Sequence, residues 1–148
     1  PVICITGDGS FMSNIQELAV IREHNLNVSI VLLNNGGYLS IKNTQEKYFD
    51  GRVYGTSSEK GLWFPDFKLV AETFGFEYFK ISTQDDLNRY ASVLSGHSGQ
   101  IIFDCVCLKN QEILPAQALK NGKQAGLHDM TPFLSDAELA EEMIVDIK

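Results

Sequence analysis

Two oxygen-bearing side chains, Asp8 and Asn35, stand 27 positions apart in the stretch VICITGDGSFMSNIQELAVIREHNLNVSIVLLNNGG, which runs from Val2 to Gly37. Each lies in a turn of small or polar residues, Gly7-Asp8-Gly9 and Asn34-Asn35. Asp8 offers a carboxylate and Asn35 a neutral amide oxygen, both hard ligands. Mg²⁺ takes one or two such protein oxygens and completes its octahedron with phosphate oxygens and water. Gly7 and Gly9 permit a tight bend and let a ligand approach the backbone with no Cβ in the way. Ser10 and Ser13 precede a helical stretch, and Ser13 with Gln16 fits a capping box. The open amides of a helix start attract phosphate. The two turns together read as a cradle for a Mg²⁺-diphosphate group.

The elements that must position this pair are equally legible. Val2 to Ile5 and Val28 to Leu33 are uninterrupted apolar runs of the kind found in parallel strands buried on both faces. The helix expected between them, about Ser13 to His24, places Ile15, Leu18, Ala19 and Ile21 on one broad apolar face. His24 closes that helix as a residue complementing its dipole, and Asn25 and Asn27 suit the turn that follows. This is a β-α-β unit, whose crossover returns the second strand parallel to the first. Both turns then fall at the carboxyl ends of their strands, where open α/β sheets bind ligands.

Gly7-Asp8-Gly9, a spacer of 24 residues and then Asn34-Asn35 resembles the thiamine-diphosphate motif. The wider stretch GDGSFMSNIQELAVIREHNLNVSIVLLNN resembles more narrowly the acetolactate synthase group of thiamine-diphosphate enzymes. The tail LHDMTPFLSDAELAEEM resembles the ending of the same group. The resemblance implies that Asp8, Asn35 and the backbone carbonyl of Gly37 bind Mg²⁺. It also implies that backbone amides of Gly9 and Ser10, with those near Tyr38 and Leu39, hold the diphosphate of thiamine diphosphate. Asn34 is expected to orient the turn and not to touch the metal.

In such enzymes the cofactor does the carbon chemistry on a small 2-keto acid, with loss of CO₂ and transfer or release of the acyl unit. The glutamate that activates the aminopyrimidine belongs to a separate, N-terminal pyrimidine-binding domain, usually of a partner subunit. Glu17 and Glu23, on the covering helix, have no reason to reach that ring, so no catalytic residue is assigned here. The chain reads as the C-terminal thiamine-diphosphate-binding domain of a longer enzyme, residues 1–148, with 110–148 as its tail. Its partners would be the pyrimidine-binding and central domains, in a homodimer or homotetramer, and alone it is expected to be inactive. An unpaired sheet edge and an exposed apolar face would then make it prone to association. Acetohydroxyacid synthases typically carry a tryptophan near the position of Thr44 and a methionine near Ser40. Here the only tryptophan is Trp63, which favours an acceptor other than that of branched-chain amino-acid synthesis.

Composition narrows the classes further. At 148 residues, 44% hydrophobic and 21% charged, the chain suits one globular domain with a real core. A net charge of −7 without a basic cluster speaks against nucleic acid and anionic membranes. No apolar run approaches the ~20 residues of a membrane span, and no basic region precedes the first apolar run. Three cysteines, Cys4, Cys105 and Cys107, fall in expected strands without the spacing of a metal site. They read as buried, reduced thiols, and the expected compartment is the cytoplasm.

Downstream, Gly36-Gly37 leads into a short helix. A long loop follows, interrupted by Gly51, Gly55 and Gly61, and loops of that length inside compact domains are usually functional. A helix is expected from Asp66 to Phe74, ended by Gly75, then a strand from Glu77 to Ile81. Thr83 caps a helix to about Ser95, His97 lies in a solvated turn, and Ile101 to Leu108 forms the last core strand. An acidic amphipathic helix, Ser135 to Ile147, closes the chain. The alternation predicts an α/β doubly wound parallel sheet with helices on both faces. A second reading keeps this fold as a non-catalytic regulatory or interaction domain, which failure to bind Mg²⁺-diphosphate would favour. Rossmann dinucleotide binding fits poorly, since no G-x-G-x-x-G follows the first strand.

Overall fold

The computed structural model describes residues 1–96 and 99–144. The expected turn at His97-Ser98 and positions 145–147 of the expected C-terminal helix lie outside them; within them that helix already ends at Glu142, with Met143 extended. The chain forms two compact units, Pro1–Gln111 and Glu112–Lys148.

The first unit begins with β1 (Val2–Gly7), α1 (Asp8–Ser13), α2 (Glu17–Glu23) and β2 (Val28–Asn34). It continues with α3 (Leu39–Tyr48), α4 (Phe67–Phe74), β3 (Glu77–Ile81), α5 (Gln84–Gly96) and β4 (Ile101–Val106). Its four strands are all parallel, in the order β1-β2-β4-β3. Residues paired across a parallel ladder point to the same face, so the register sorts the side chains. Ile30 pairs with Ile102, and with Leu32 they meet Phe11 of α1, Leu18 of α2, and Phe67 and Ala71 of α4 in the main core. Phe11 and Phe67 meet edge to face at 5.7 Å. On the opposite face Phe103 stacks on Phe79 at 5.6 Å, and Phe79 meets Tyr90 of α5 at 4.7 Å. Helices therefore cover both faces, as the strand-helix alternation predicts. Burial of a fully enclosed aromatic such as Phe11, Phe67 or Phe103 contributes roughly 1.5–3 kcal/mol.

Local signals account for the later elements. The Asp66 carboxylate caps α4 by accepting from the Lys68 amide at 2.8 Å, and Gly75 closes that helix. Thr83 Oγ1 accepts from the Asp86 amide at 3.1 Å at the start of α5.

Three expectations are corrected. The helix after the Gly-Asp-Gly stretch starts at Asp8 itself, breaks at Asn14–Gln16 and resumes as α2. The Ser13-Gln16 capping box is absent: Ser13 is the last residue of α1 and its hydroxyl donates back to the Gly9 carbonyl at 3.3 Å, while Gln16 makes no side-chain cap. Serine bonding back one turn competes with capping, and here it wins because the helix is already under way. Finally, β1 is an edge strand with Ile5 68% exposed, and Cys4 is exposed with it, not buried. Cys105 and Cys107 are partly buried.

The second unit holds a short antiparallel pair, β5 (Leu119–Lys120) and β6 (Lys123–Gln124), and α6 (Asp136–Glu142). The start of α6 carries a full capping box between Ser135 and Glu138. Lys120 Nζ bridges Asp129 at 2.8 Å and Asp136 at 3.0 Å. Among the described residues, no helix is long and apolar enough to cross a membrane.

Candidate functional site

The β1-β2 register pairs Gly7 with Leu33, so Asp8 emerges beside Asn34 at the carboxyl edge of the sheet. There the chain after β2 turns over the Asp8 side chain, which is only 1% exposed. Asp8 Oδ2 accepts from the Gly36 amide at 2.6 Å and the Gly37 amide at 3.1 Å, while Oδ1 accepts from Gly9 at 2.7 Å. Asn35 Oδ1 accepts from the same Gly37 amide at 3.2 Å. The two oxygens singled out by spacing are thus brought to one N–H. Burial pushes the Asp8 carboxyl above its ordinary range, opposed by the amides of Gly36, Gly9, Gly37 and Asn35, which favour the charged form.

Close approach dictates two of the glycines. A Cβ on Gly9 would lie 2.2 Å from the Tyr38 ring, whose hydroxyl donates to the Gly9 carbonyl at 3.3 Å. A Cβ on Gly37 would lie 2.0 Å from the Thr56 carbonyl oxygen, which also accepts from the Tyr38 amide at 2.9 Å. Gly7, by contrast, has ordinary extended backbone and open space around its missing Cβ. The freedom to bend that its residue type suggested is not used. Ser10 is exposed on α1, and Leu39 is the first residue of α3. The amides of Gly9 and Tyr38, both expected to face a diphosphate, are engaged by Asp8 and Thr56.

Asn34 turns the other way from Asn35. Its side-chain NH₂ donates to Asp104 Oδ1 at 2.9 Å on the sheet face. A cavity of about 270 Å³ adjoins the Asn35–Gly37 turn, bordered by Lys42, Thr56, Lys109 and Asn110. Lys109 pairs with Glu59 at 3.1 Å, and Lys42 donates to the Asn110 side chain.

Sequence reasoning missed three residues of this region. Thr56, 3% exposed, backs the turn from a loop whose sequence carries no sign of it. Asp104, 3% exposed, did carry a signal, a lone charge inside the apolar run Ile101-Ile102-Phe103-Asp104-Cys105-Val106. Tyr78, whose hydroxyl donates to Asp104 Oδ2 at 2.6 Å, looked like any aromatic strand residue.

The donor set suits a hard divalent cation. A carboxylate and an amide oxygen converge on one turn, the hard oxygen donors that such a cation takes.

Comparison with known proteins places the chain in a family. Residues 1–105 match the family model described as "Thiamine pyrophosphate enzyme, C-terminal TPP binding domain". An acetolactate synthase large subunit from Cyanidium caldarium is 30% identical over 128 residues, covering 85% of this chain and 22% of that protein. A chloroplastic acetolactate synthase from Arabidopsis thaliana is 29% identical over 118 residues, covering 77% and 18%. The chain thus spans about a fifth of the length of these curated relatives. Among solved structures, the thiamine diphosphate-dependent 4-hydroxybenzoylformate decarboxylase of Rhodococcus jostii RHA1 shares the fold with a TM-score of 0.58. It does so at 24% identity over 74% of this chain and 20% of that one. With the family's model matching most of its length, the chain belongs to the C-terminal TPP-binding domains of thiamine pyrophosphate enzymes.

Proposed function

We propose that this domain is the Mg²⁺-diphosphate-binding half of a thiamine-diphosphate-dependent, acetolactate-synthase-like enzyme that decarboxylates a small 2-keto acid and transfers or releases the acyl unit. The observation that carries the reading is the meeting of Asp8 and Asn35 at the Gly37 amide. Asp8 and Asn35 would hold Mg²⁺ through their side-chain oxygens, and Gly37 through its carbonyl. The backbone from Gly7 to Ser10 and at Tyr38 and Leu39 would hold the diphosphate, with the amides of Gly9 and Tyr38 exchanging their present partners. Bound thiamine diphosphate supplies the carbanion chemistry.

The protein's part here is to fix charge and orientation. Buried Asp8, in its charged form, would attract a bound cation more strongly than an exposed carboxylate, because the local dielectric is low. Asn35 adds an oxygen without a second charge. Glu17 and Glu23 are exposed on α2, away from the turn, so the acid that activates the aminopyrimidine would come from elsewhere. In this reading pyrimidine-binding and central domains complete the site within a cytoplasmic homodimer or homotetramer.

The test is a Mg²⁺-dependent calorimetric titration of thiamine diphosphate into the full-length enzyme. Asp8→Ala should abolish Mg²⁺-dependent binding and Asn35→Ala should weaken it severely. Normal affinity and activity in Asp8→Ala would show the site to be misassigned. Binding of no Mg²⁺-diphosphate by the unaltered enzyme would turn the reading toward an interaction domain.

A further inference from the structure

Asp104 is a carboxylate in the middle of a parallel sheet, on the face that carries the main core. Such a group is costly to bury unless hydrogen bonds compensate it. Its two oxygens are supplied from the strands on either side: Tyr78 of β3 donates to Oδ2 at 2.6 Å, and Asn34 of β2 donates to Oδ1 at 2.9 Å. The register explains the reach. Leu32 pairs with Asp104 and Ile102 with Tyr78, so each donor is a same-face diagonal neighbour of the carboxylate. Asn34 is held a second time through its backbone, whose carbonyl accepts from the Cys107 amide at 2.8 Å. The next three residues are Asn35, Gly36 and Gly37, which close over Asp8.

We propose that Asp104 is a positioning residue for the metal-binding turn: by gripping the Asn34 side chain it sets the direction in which the chain leaves β2, and so presents Asn35 and Gly37 to Asp8. The inference rests on the reading of Asp8, Asn35 and Gly37 as the Mg²⁺ site. It divides the labour of the paired asparagines, Asn34 serving as an anchor to the sheet and Asn35 as the ligand. A carboxylate only accepts, so it commits Asn34 to presenting its NH₂ downward. β4 thereby sets the geometry of a turn that begins at a residue 70 positions earlier in the chain.

The experiment measures, in the full-length enzyme, the Mg²⁺ concentration that half-saturates thiamine diphosphate binding, together with the binding stoichiometry. Asp104→Ala and Asn34→Ala should each raise the half-saturating Mg²⁺ about tenfold or more at unchanged stoichiometry. The double variant should be no worse than the more affected single one, since both remove one link. Asp104→Asn should stay within about threefold of wild type, because a turned-over Asn34 amide can bond to it again. Phe103→Leu, a core change on the opposite face, should lower stability and leave the Mg²⁺ response unmoved. If Asp104→Ala does not fold, Asn34→Ala carries the same test, since the carboxylate keeps its Tyr78 bond. A Mg²⁺ response within about twofold of wild type in Asn34→Ala or Asp104→Ala, or a double variant whose effects multiply, would overturn the proposal. Asp8→Ala in the same assay separates the two readings. If Asp8→Ala abolishes the Mg²⁺ response and Asp104→Ala does not alter it, only the positioning role falls. If Asp8→Ala is also silent, the metal site itself is wrong.

Discussion

Asp8 and Asn35 accept hydrogen bonds from a single N–H, that of Gly37, at 3.1 and 3.2 Å. Two acceptors at one donor is a crowded arrangement that a cation between the oxygens would relieve. Asn35→Asp tests this directly. It keeps the oxygen but sets two carboxylates against each other, which disfavours the charged pair. In Mg²⁺-free buffer the variant should lose about 1–3 kcal/mol of stability, with recovery as Mg²⁺ is added, since a cation that binds only the folded state stabilises it. Denaturant titrations with Mg²⁺ and with chelator would show it; equal stability in both would contradict a cation site.

The turn tolerates no side chain at Gly37. The clash in Gly37→Ala would be with the Thr56 backbone carbonyl, which cannot rotate away as a side chain can. Relief requires separating the two segments and breaking the Tyr38–Thr56 bond. The expected cost is about 3 kcal/mol or more, with loss of cofactor affinity, read from denaturant midpoints and calorimetry. Gly9→Ala meets the Tyr38 ring instead, and should be partly rescued by Tyr38→Ala.

Tyr78 should give the protein an alkaline signature. Burial, then the hydrogen bond to Asp104 and that residue's charge, hold its hydroxyl well above the ordinary tyrosine range. A folded-state pKa above the unfolded value of about 10 means the neutral form is favoured by folding. That stability is complete below about pH 10 and is lost as pH rises from there toward the folded-state value. The stability difference between wild type and Tyr78→Phe should therefore shrink or reverse between pH 8 and pH 11. A constant difference across that range would argue against the Tyr78–Asp104 bond.

Acceptor choice gives another test. Ser40 and Thr44 lie one turn apart on α3, and Thr44 Oγ1 donates to the Ser40 carbonyl at 3.0 Å. In acetolactate-synthase-like chemistry, these small residues should leave a differently shaped acceptor pocket from that of the branched-chain pathway. Product analysis of the full-length enzyme with pyruvate and 2-ketobutyrate should show acetohydroxybutyrate as a minor product. Its appearance as the best product would count against the reading.

What the sequence by itself determined was whatever is encoded within a few residues. The apolar runs at Val2 and Val28, the helix ended by Gly75 and the strand Glu77–Ile81 follow from local periodicity and capping. The 27-residue spacing between Asp8 and Asn35 needed only a β-α-β unit to bring both to one sheet edge. Only the tertiary structure decided what each polar residue in those turns does. Ser13 lost its role as a cap because α1 begins at Asp8, where Gly9 packs under the Tyr38 ring. The resemblance gives Asn34 and Asn35 different roles, yet nothing local in the sequence says what Asn34 would grip. They diverge because the pleat aims one at Asp104, and strand order sets β4 beside β2 and not beside β1. Cys4 and Ile5 read as core residues, yet β1 lies at the sheet edge. Hydrophobic period reports that a strand has an apolar face, whereas its neighbours in space determine whether that face is covered.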